Sequence, residues 1–210
     1  MAKLVLVRHG MSEYNKKGLW TGWDDPDLAP EGIEDARRAG EKLTDISFDY
    51  AYSADLKRAI ETLDEILNAI GEIKINVSVN WELKERNYGD YTAKNKWEVK
   101  EAVGDDEFQK IRRGWNHPIP NGESLKQVND RIWPFFLKVI LPKVKEGKNV
   151  LISSSGNALR ALLKSLENIP DNEIGNLEFG IGEAWVYEID KEGRVLSKEI
   201  RNKNPLAGKQ

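Results

Sequence analysis

The chain has 210 residues, 40% of them hydrophobic, and its 32 basic and 35 acidic side chains leave a formal net charge of −3. This length and composition predict a single domain with a sizeable core, and the charge balance argues against a polybasic surface for nucleic acid or a membrane. The absence of cysteine excludes disulfides and thiol catalysis, and two histidines argue against a multi-histidine metal site. The first apolar run is too short for a signal or transmembrane helix, so we expect a cytoplasmic protein.

The predicted first strand ends on residues suited to a phosphoryl group. Residues 4–7 form an apolar run rich in β-branched side chains, which predicts a buried strand. Its carboxyl end opens onto the crevice where open α/β sheets bind ligands. The planar guanidinium of Arg8 suits phosphate oxygens, the neutral imidazole of His9 is a nucleophile, and Gly10 allows a sharp turn and a close approach to a bound group. Taken alone, this triplet fits a strand that merely ends in polar side chains at least as well.

Helical and strand patterns alternate along the first part of the chain. Each element is indicated by its hydrophobic period and by the residues that begin or end it. The predicted elements are a loop over 11–29, a helix from Pro30 to Leu43, a strand over 48–52, a helix capped by Asp55 and closed by Gly71, and a strand over 73–79 with one exposed face.

Residues 81–122 break this rhythm because they are rich in aromatic and charged side chains, and the alternation then resumes. Strands that alternate with helices predict an α/β fold, a three-layer, mostly parallel sheet with helices on both faces. We expect 81–122 to be a cap-like insert over the site, within a single domain of 1–210. The elements predicted here are short helices near 94–103 and 106–113, a helix from Ser124 to Val139 kinked at Pro134, a strand over 149–152, a turn over 153–157, a helix over 159–166, strands over 184–189 and 195–200, and a loose tail over 202–210.

Five cations stand at positions that the predicted fold can bring together. Arg8 ends the first strand, and Arg58 follows the second strand early in its helix. Lys96 and the pair Arg112 and Arg113 lie in the insert. Each alone is typical of a solvated surface charge, whereas together they suit a ligand with more than one anionic group.

The chain also carries a set of short motifs that run through nearly its whole length. They are residues 6–10 (Leu-Val-Arg-His-Gly), 12–15 (Ser-Glu-Tyr-Asn), 21–23 (Thr-Gly-Trp), 56–59 (Leu-Lys-Arg-Ala), 85–89 (Glu-Arg-Asn-Tyr-Gly), 95–96 (Asn-Lys), 112–113 (Arg-Arg), 122–125 (Gly-Glu-Ser-Leu) and 156–160 (Gly-Asn-Ala-Leu-Arg). With these motifs the chain resembles the cofactor-dependent phosphoglycerate mutases of the histidine phosphatase superfamily. The Arg-His-Gly triplet points only to the superfamily, and the motifs from Glu85 to Arg113 point to the mutases.

The resemblance implies that 3-phosphoglycerate and 2-phosphoglycerate are interconverted, a reaction of glycolysis and gluconeogenesis, through a phosphohistidine at His9. The phosphoryl primer is 2,3-bisphosphoglycerate, and no metal is needed because Arg8 and Arg58 neutralise the charge. Glu85 is the implied general acid–base. The partners are small phosphoglycerates, not nucleic acid or a membrane, and a homodimer is suggested. The implied substrate-binding residues are Ser12, Asn15, Thr21, Gly22, Tyr88, Lys96, Arg112, Arg113, Gly156 and Asn157.

One residue departs from the family pattern inside an otherwise intact motif. The family carries a second catalytic histidine before Gly156 and Asn157, where this chain has Ser155. Serine offers one hydroxyl donor but cannot carry positive charge, and losing one preorganised donor typically costs about a hundred- to a thousandfold in rate. We therefore expect ligand binding with reduced turnover. The other histidine, His117, is predicted to be an exposed loop residue and not a replacement.

Two other functions remain open at this stage. In a phosphatase of the same superfamily, water would take the phosphoryl group from His9. The insert argues against this, because gripping both ends of a glycerate retains the intermediate and excludes water. In a phosphate-ligand-binding protein, the pocket would persist with little catalysis, and Ser155 is the reason to consider it.

Overall fold

The structure, a computed structural model, describes residues 1–72 and 74–204. Its strands in that part of the chain are β1 (Ala2–Arg8), β2 (Tyr50–Ala54), β3 (Asn76–Asn80), β4 (Val150–Ser154), β5 (Ala184–Ile189) and β6 (Val195–Arg201). They form one sheet in the order β3-β2-β4-β1-β5-β6. Strands β1 to β4 are parallel, whereas β5 and β6 form an antiparallel hairpin at one edge. The predicted α/β fold with a mostly parallel sheet is confirmed.

Helices cover both faces of this sheet. They are α1 (Glu13–Lys16), α2 (Pro30–Glu41), α3 (Lys57–Ile70), α4 (Lys96–Val103), α5 (Asp105–Arg113), α6 (Leu125–Phe135), α7 (Leu141–Lys145) and α8 (Gly156–Leu166), with a π-helical turn at Phe136–Ile140 and 3-10 turns at Trp81–Leu83, Gly89–Tyr91 and Ile174–Asn176. Side chains alternate along β1, so Leu4 and Leu6 face the core under α6 and α8, and Val5 and Val7 face the core under α2 and α3. The three predicted layers therefore follow from the two-residue period of the strands.

The insert has a small core of its own, built around Trp20 from the first loop. Its remaining members come from the insert: Tyr88, Val99, Phe108, Ile111 and Ile119. The buried guanidinium of Arg86 lies over the Tyr88 ring, 4.5 Å from its centroid, and donates to the carbonyls of Ile111 (2.6 Å) and Arg112 (2.9 Å). The end of α5, which carries two cations, is thereby fixed to the rest of the insert.

The N-cap predicted for α3 is wrong, because a different segment caps this helix. The N-cap is Leu56, and Asp55 instead pairs with Lys84 at 3.1 Å. The free N–H of Lys57 donates to the carboxylate of Asp25 in the first loop at 2.7 Å, which satisfies an otherwise unpaired helix terminus. The predicted end at Gly71 is confirmed, since its φ of 76° is left-handed.

Three element boundaries also differ from the predictions. Strand β2 lies two residues later than predicted, and β4 continues through Ser153 and Ser154 because their hydroxyls donate to the carbonyls of Ala59 and Leu83. The predicted turn over 153–157 is thus one linking residue between β4 and α8. The helix predicted to reach Val139 changes to a π-helical turn after Pro134, which lacks the N–H that would continue the ladder.

The first loop and the start of the tail both contain defined structure, and only the tail differs from its prediction. The loop over 11–29 contains the short helix α1. Asn202 donates to the carbonyl of Gly182 (2.8 Å) and the backbone of Asn204 donates to Glu183 (2.9 Å), so the start of the predicted loose tail is docked. Its residues 205–210, and Ile73 of the predicted third strand, lie outside the described residues. No helix in 1–72 or 74–204 has the length and apolar character to cross a membrane.

Candidate active site

His9 lies buried just beyond the end of β1, with its two ring nitrogens in different environments. Nδ1 lies 2.7 Å from the Gly10 carbonyl, which can only accept, so this nitrogen carries the proton. Nε2 is then the acceptor for Arg58 Nε at 3.3 Å. Burial, followed by repulsion from Arg58 and Arg8, holds the pKa of His9 well below its usual value. The imidazole is therefore neutral, with the lone pair of Nε2 available for nucleophilic attack.

Backbone carbonyls hold the two arginines beside this imidazole. Arg58, at the start of α3, is fully buried and donates to the carbonyls of Gly22 and Asp24, both at 2.9 Å. Arg8 Nη1 donates to the Phe179 carbonyl at 2.7 Å. Burial lowers the pKa of Arg58 to about 10, which leaves it charged at neutral pH. Two cations are thus fixed next to the nucleophile, and no carboxylate of the described residues is bonded to either.

At the carboxyl ends of β1 and β4, two buried polar atoms have no hydrogen-bond partner among residues 1–72 and 74–204. They are Arg8 Nε and the hydroxyl of Ser155, which is fully buried at the junction of β4 and α8. Gly156 follows directly, and a Cβ there would lie 3.2 Å from Arg8 Nε. Buried polar groups rarely lack partners, so both atoms are suited to donate to an anion. We call the group Arg8, His9, Arg58, Ser155 and Gly156 the floor.

Gly10 packs closely against α2, and its predicted approach to a bound group stays a prediction. A Cβ on Gly10 would lie 2.1 Å from the carbonyl oxygen of Gly32 in α2. Its N–H donates to the Thr62 hydroxyl of α3 at 3.0 Å. The close approach is thus to α2, and it fixes the backbone that carries His9.

Glu85 faces the floor from the start of the insert. One carboxylate oxygen accepts from the backbone N–H of Arg86 at 2.6 Å, and the other accepts from that of Asn157 at 3.3 Å. Its own carbonyl accepts from Trp23 Nε1 (2.8 Å) and from Arg131 Nη2 (3.0 Å). Because four donors fix its backbone and carboxylate, Glu85 has one defined position beside the first turn of α8.

A polar cleft with a cavity volume of about 70 Å³ adjoins the floor. Arg8 and Gly156 of the floor line it, whereas His9, Arg58 and Ser155 lie behind this lining. Seven of the predicted site residues line it, and two further residues, Arg160 and Glu178, were not predicted. The lining contains five cationic side chains and two carboxylates, so it favours anions. The nine residues are Arg8, Glu85, Lys96, Arg112, Arg113, Gly156, Asn157, Arg160 and Glu178.

Two cationic side chains of the insert line this cleft and are unpaired within the described part of the chain. Among the described residues, the side chains of Lys96 and Arg112 have no hydrogen bond or ion pair. Burial, followed by repulsion from Arg112 and Arg8, lowers the pKa of Lys96 to about 8. Burial and repulsion from Arg113 likewise lower the pKa of Arg112. We call Lys96, Arg112 and Arg113, the three cations of the insert that line the cleft, the wall.

The other predicted residues lie around the cleft in supporting positions. Ser12 and Asn15 form the capping box of α1, with their side chains bonded to each other at 2.9 Å. The Gly22 carbonyl holds Arg58, and Thr21 is buried in the same turn. These contacts leave the predicted ligand roles of all four residues as predictions. His117, predicted to be exposed, is partly buried, with Nε2 at 3.2 Å from Glu107 Oε1, and is not part of the lining.

The side chains of Tyr88 and Asn157 are hydrogen-bonded to each other. The Asn157 side chain donates to the Tyr88 hydroxyl at 2.7 Å and accepts from Arg160. Arg160 lies one helical turn after Gly156, so its position in α8 could have identified it as a site residue. Glu178 had no such signal, because an irregular loop carries it.

Within 1–72 and 74–204, no three His, Asp or Glu residues are grouped as a metal site.

Known proteins resemble this chain along nearly its whole length. The family model of the histidine phosphatase superfamily (branch 1) matches residues 4–200. A 2,3-bisphosphoglycerate-dependent phosphoglycerate mutase of Parvibaculum lavamentivorans is 43% identical over 94% of this chain and 95% of its own. A second, from Lactiplantibacillus plantarum, is 39% identical over 95% and 98%.

Solved structures show the same fold. A mycobacterial glucosyl-3-phosphoglycerate phosphatase has a TM-score of 0.82 and covers 97% of this chain and 100% of its own. At 23% identity this likeness speaks for the fold alone. The resemblance first indicated by the motifs is confirmed, and the chain belongs to branch 1 of the histidine phosphatase superfamily.

Proposed function

We propose that this protein interconverts 3-phosphoglycerate and 2-phosphoglycerate through a phosphohistidine at His9, with 2,3-bisphosphoglycerate as the primer. The observation that carries the proposal is the neutral imidazole of His9, whose Nε2 lies 3.3 Å from Arg58 Nε. His9 directly follows Arg8, which lines the cation-rich cleft. The names of the relatives support the same reaction. The residues fit a doubly phosphorylated glycerate, since five cations oppose two carboxylates in the cleft and Arg8 Nε lacks a partner within the described part of the chain.

In the proposed cycle, His9 Nε2 forms a P–N bond while the phosphate ester bond breaks. Nδ1 keeps its proton throughout the cycle and donates it in a hydrogen bond to the Gly10 carbonyl, which holds the ring in place. Arg8 and Arg58 stabilise the negative charge on the transferred oxygens. Glu85 donates a proton to the glycerate oxygen that leaves and takes one from the hydroxyl that attacks phosphohistidine next. The cations of the wall hold the carboxylate and the second phosphate during this exchange.

We further propose that Ser155 limits this chemistry. Its hydroxyl is fully buried and has no partner within the described chain, so it can donate one hydrogen bond to the phosphoryl group. It supplies no positive charge where the family has a histidine. The phosphatase and binding-protein alternatives follow from the same residue: less retention of the phosphoryl group favours hydrolysis, and less stabilisation favours binding alone.

The paired assay of the protein and its Ser155→His variant tests this proposal. We expect 3-phosphoglycerate isomerisation that depends on the bisphosphoglycerate primer, with a rise of about a hundredfold in the variant. Intact mass spectrometry should find one added phosphoryl group, which a His9→Gln variant loses. No isomerisation in either protein would refute the mutase, and robust hydrolysis without isomerisation would favour the phosphatase.

We also propose that the chain is one domain with the insert over 81–122, and that it forms a homodimer through β3. This strand is at one edge of the sheet and is exposed along four of its five residues. It has no charge, proline or bulge to prevent pairing with another strand, whereas the opposite edge strand, β6, carries charges. Its sequence, Asn-Val-Ser-Val-Asn, reads the same in both directions, so antiparallel pairing about Ser78 places like residues symmetrically.

A further inference from the structure

Three consecutive residues in the loop before β5 each bind a different arginine of the cleft. Two do so with backbone carbonyls, and the middle one does so with its carboxylate. The pairs are the Leu177 carbonyl with Arg160 Nε and Nη2 (3.1 and 3.0 Å), the Glu178 carboxylate with Arg113 Nη1, and the Phe179 carbonyl with Arg8 Nη1 (2.7 Å). This 177–179 segment therefore supplies negative partners to cations that a ligand would otherwise contact.

Glu178 is the only residue of the 177–179 segment with a full charge, and it lines the cleft itself. Its side chain is 35% exposed, whereas that of its partner Arg113 is 13% exposed. Burial lowers the pKa of Arg8, Arg112 and Arg160, and the charge of Glu178 opposes that shift in all three. Its electrostatic influence thus extends over every arginine that lines the cleft.

The loop that carries Glu178 is held independently of this carboxylate. Glu183 accepts from the backbone N–H of Gly180 at 2.9 Å and from Trp185 Nε1 at 3.1 Å. A Cβ on Gly180 would lie 2.7 Å from the Glu183 carboxylate, so the two are packed closely. The Glu178 side chain can therefore change its partner while the loop backbone stays in place.

We propose that Glu178 is a specificity-determining residue, an internal anion that a ligand with two anionic ends must displace from Arg113. The cavity of about 70 Å³ is small beside ligand pockets of about 300–1,000 Å³, so such a ligand competes with this carboxylate for both space and charge. The inference rests on the proposed function, because phosphoglycerates have two anionic ends.

This arrangement distinguishes ligands by their number of anionic ends. Inorganic phosphate can bind to Arg8, which lines the cleft, and leave the pair of Arg113 and Glu178 intact. A phosphoglycerate must also bind the wall, and there it meets the negative charge of Glu178. Removing that charge should therefore increase the affinity for two-ended ligands far more than the affinity for phosphate.

Calorimetric titration of the full chain with 3-phosphoglycerate and with inorganic phosphate tests this inference. For Glu178→Gln we expect about five- to tenfold tighter binding of 3-phosphoglycerate, and a change of less than about twofold for phosphate. Glu178→Asp keeps the charge and should bind like the unaltered protein. Glu173→Gln, at an exposed position of the same loop, is the matched control, and thermal unfolding verifies that each variant is folded.

The outcomes separate this inference from the proposed function. Unchanged or weaker binding of 3-phosphoglycerate by Glu178→Gln would overturn the inference, because Glu178 would then only orient Arg113. An equal gain for both ligands would also overturn it, since the effect would be one of general charge. Tighter binding without isomerisation would support the inference and count against the mutase reaction. Failure of the unaltered protein to bind 3-phosphoglycerate would overturn both.

Discussion

The floor and the wall of the cleft are both cationic, but the protein treats their charges differently. On the floor, backbone carbonyls bind Arg8 and Arg58 and fix their direction. On the wall, Lys96 and Arg112 have no such partner within the described chain. A fixed cation is preorganised for charge that develops during a reaction, whereas an unpaired one retains its capacity to bind a ligand. This comparison distinguishes the residues that stabilise the charge of the reacting phosphoryl group from those that bind the ligand.

The difference also explains which cations the protein can bury. A buried charge is costly unless hydrogen bonds replace its hydration. Arg58 is fully buried because three acceptors surround its guanidinium, including Nε2 of His9. Lys96 is nearly as buried but has no acceptor among residues 1–72 and 74–204, and burial lowers its pKa to about 8. An anionic ligand would supply an acceptor for the Lys96 ammonium group, so ligand binding would also stabilise this buried charge.

The largest effect should come from a change that keeps the charge of the floor but loses its geometry. Lysine in place of Arg58 cannot bind the carbonyls of Gly22 and Asp24 and face His9 at the same time. We expect Arg58→Lys to slow phosphorylation of His9 by about a hundred- to a thousandfold, measured in a single turnover with 2,3-bisphosphoglycerate. The exposed Arg37→Lys is the control. A loss below about tenfold would mean that charge alone suffices on the floor.

The contrast between floor and wall also marks what could be predicted from the sequence. The floor lies at the ends of β1 and β4 and the start of α3, where residues adjacent in the chain determine the geometry. The run that ends in Arg8 and His9 therefore predicted both a strand and its chemistry. The alternation of apolar side chains likewise predicted the sheet and its two layers of helices.

What the sequence did not reveal depends on contacts between distant segments. Asp25 caps α3 across 32 positions of the chain, so local pattern favoured the nearer Asp55. Glu178 meets Arg113 across 65 positions, and the irregular loop that carries it has no period to indicate which way a side chain points. Arg131 and Arg86 hold the insert by binding backbone carbonyls. Every residue has a carbonyl, so the sequence does not indicate which of them an arginine binds. Such contacts follow from the assembled fold alone.

A smaller effect should appear at the wall as a dependence of affinity on pH. Lys96 has a pKa of about 8 in the free protein, and a bound anion raises that pKa. Its contribution to affinity is therefore complete below pH 8 and is lost as the pH rises. We expect the Kd of 3-phosphoglycerate to rise about tenfold from pH 7 to pH 9, measured by calorimetry.

Two variants of the same helix region control this measurement. Lys96→Arg should bind 3-phosphoglycerate with little change over that range, because arginine keeps its charge. The exposed Lys94→Arg should leave the pH profile of the unaltered protein unchanged. An equally steep profile in Lys96→Arg would assign the titration to another group and remove Lys96 from the wall.

The smallest expected effect distinguishes the role of the floor from that of the wall most directly. A Cβ at position 156 would lie 3.2 Å from Arg8 Nε and 3.3 Å from its Cζ, so Gly156→Ala must shift this guanidinium by a few tenths of an ångström. Because Arg8 is bound to Phe179 and cannot move freely, we expect kcat to fall about three- to tenfold. The Kd of 3-phosphoglycerate should change by less than about twofold, since the wall still binds the ligand. Gly175→Ala is the matched control, since its Cβ would make an ordinary contact of 3.8 Å with Arg113. If Gly156→Ala instead weakened binding at constant kcat, Arg8 would belong with the wall, and the division between chemistry and affinity would not lie between these two regions.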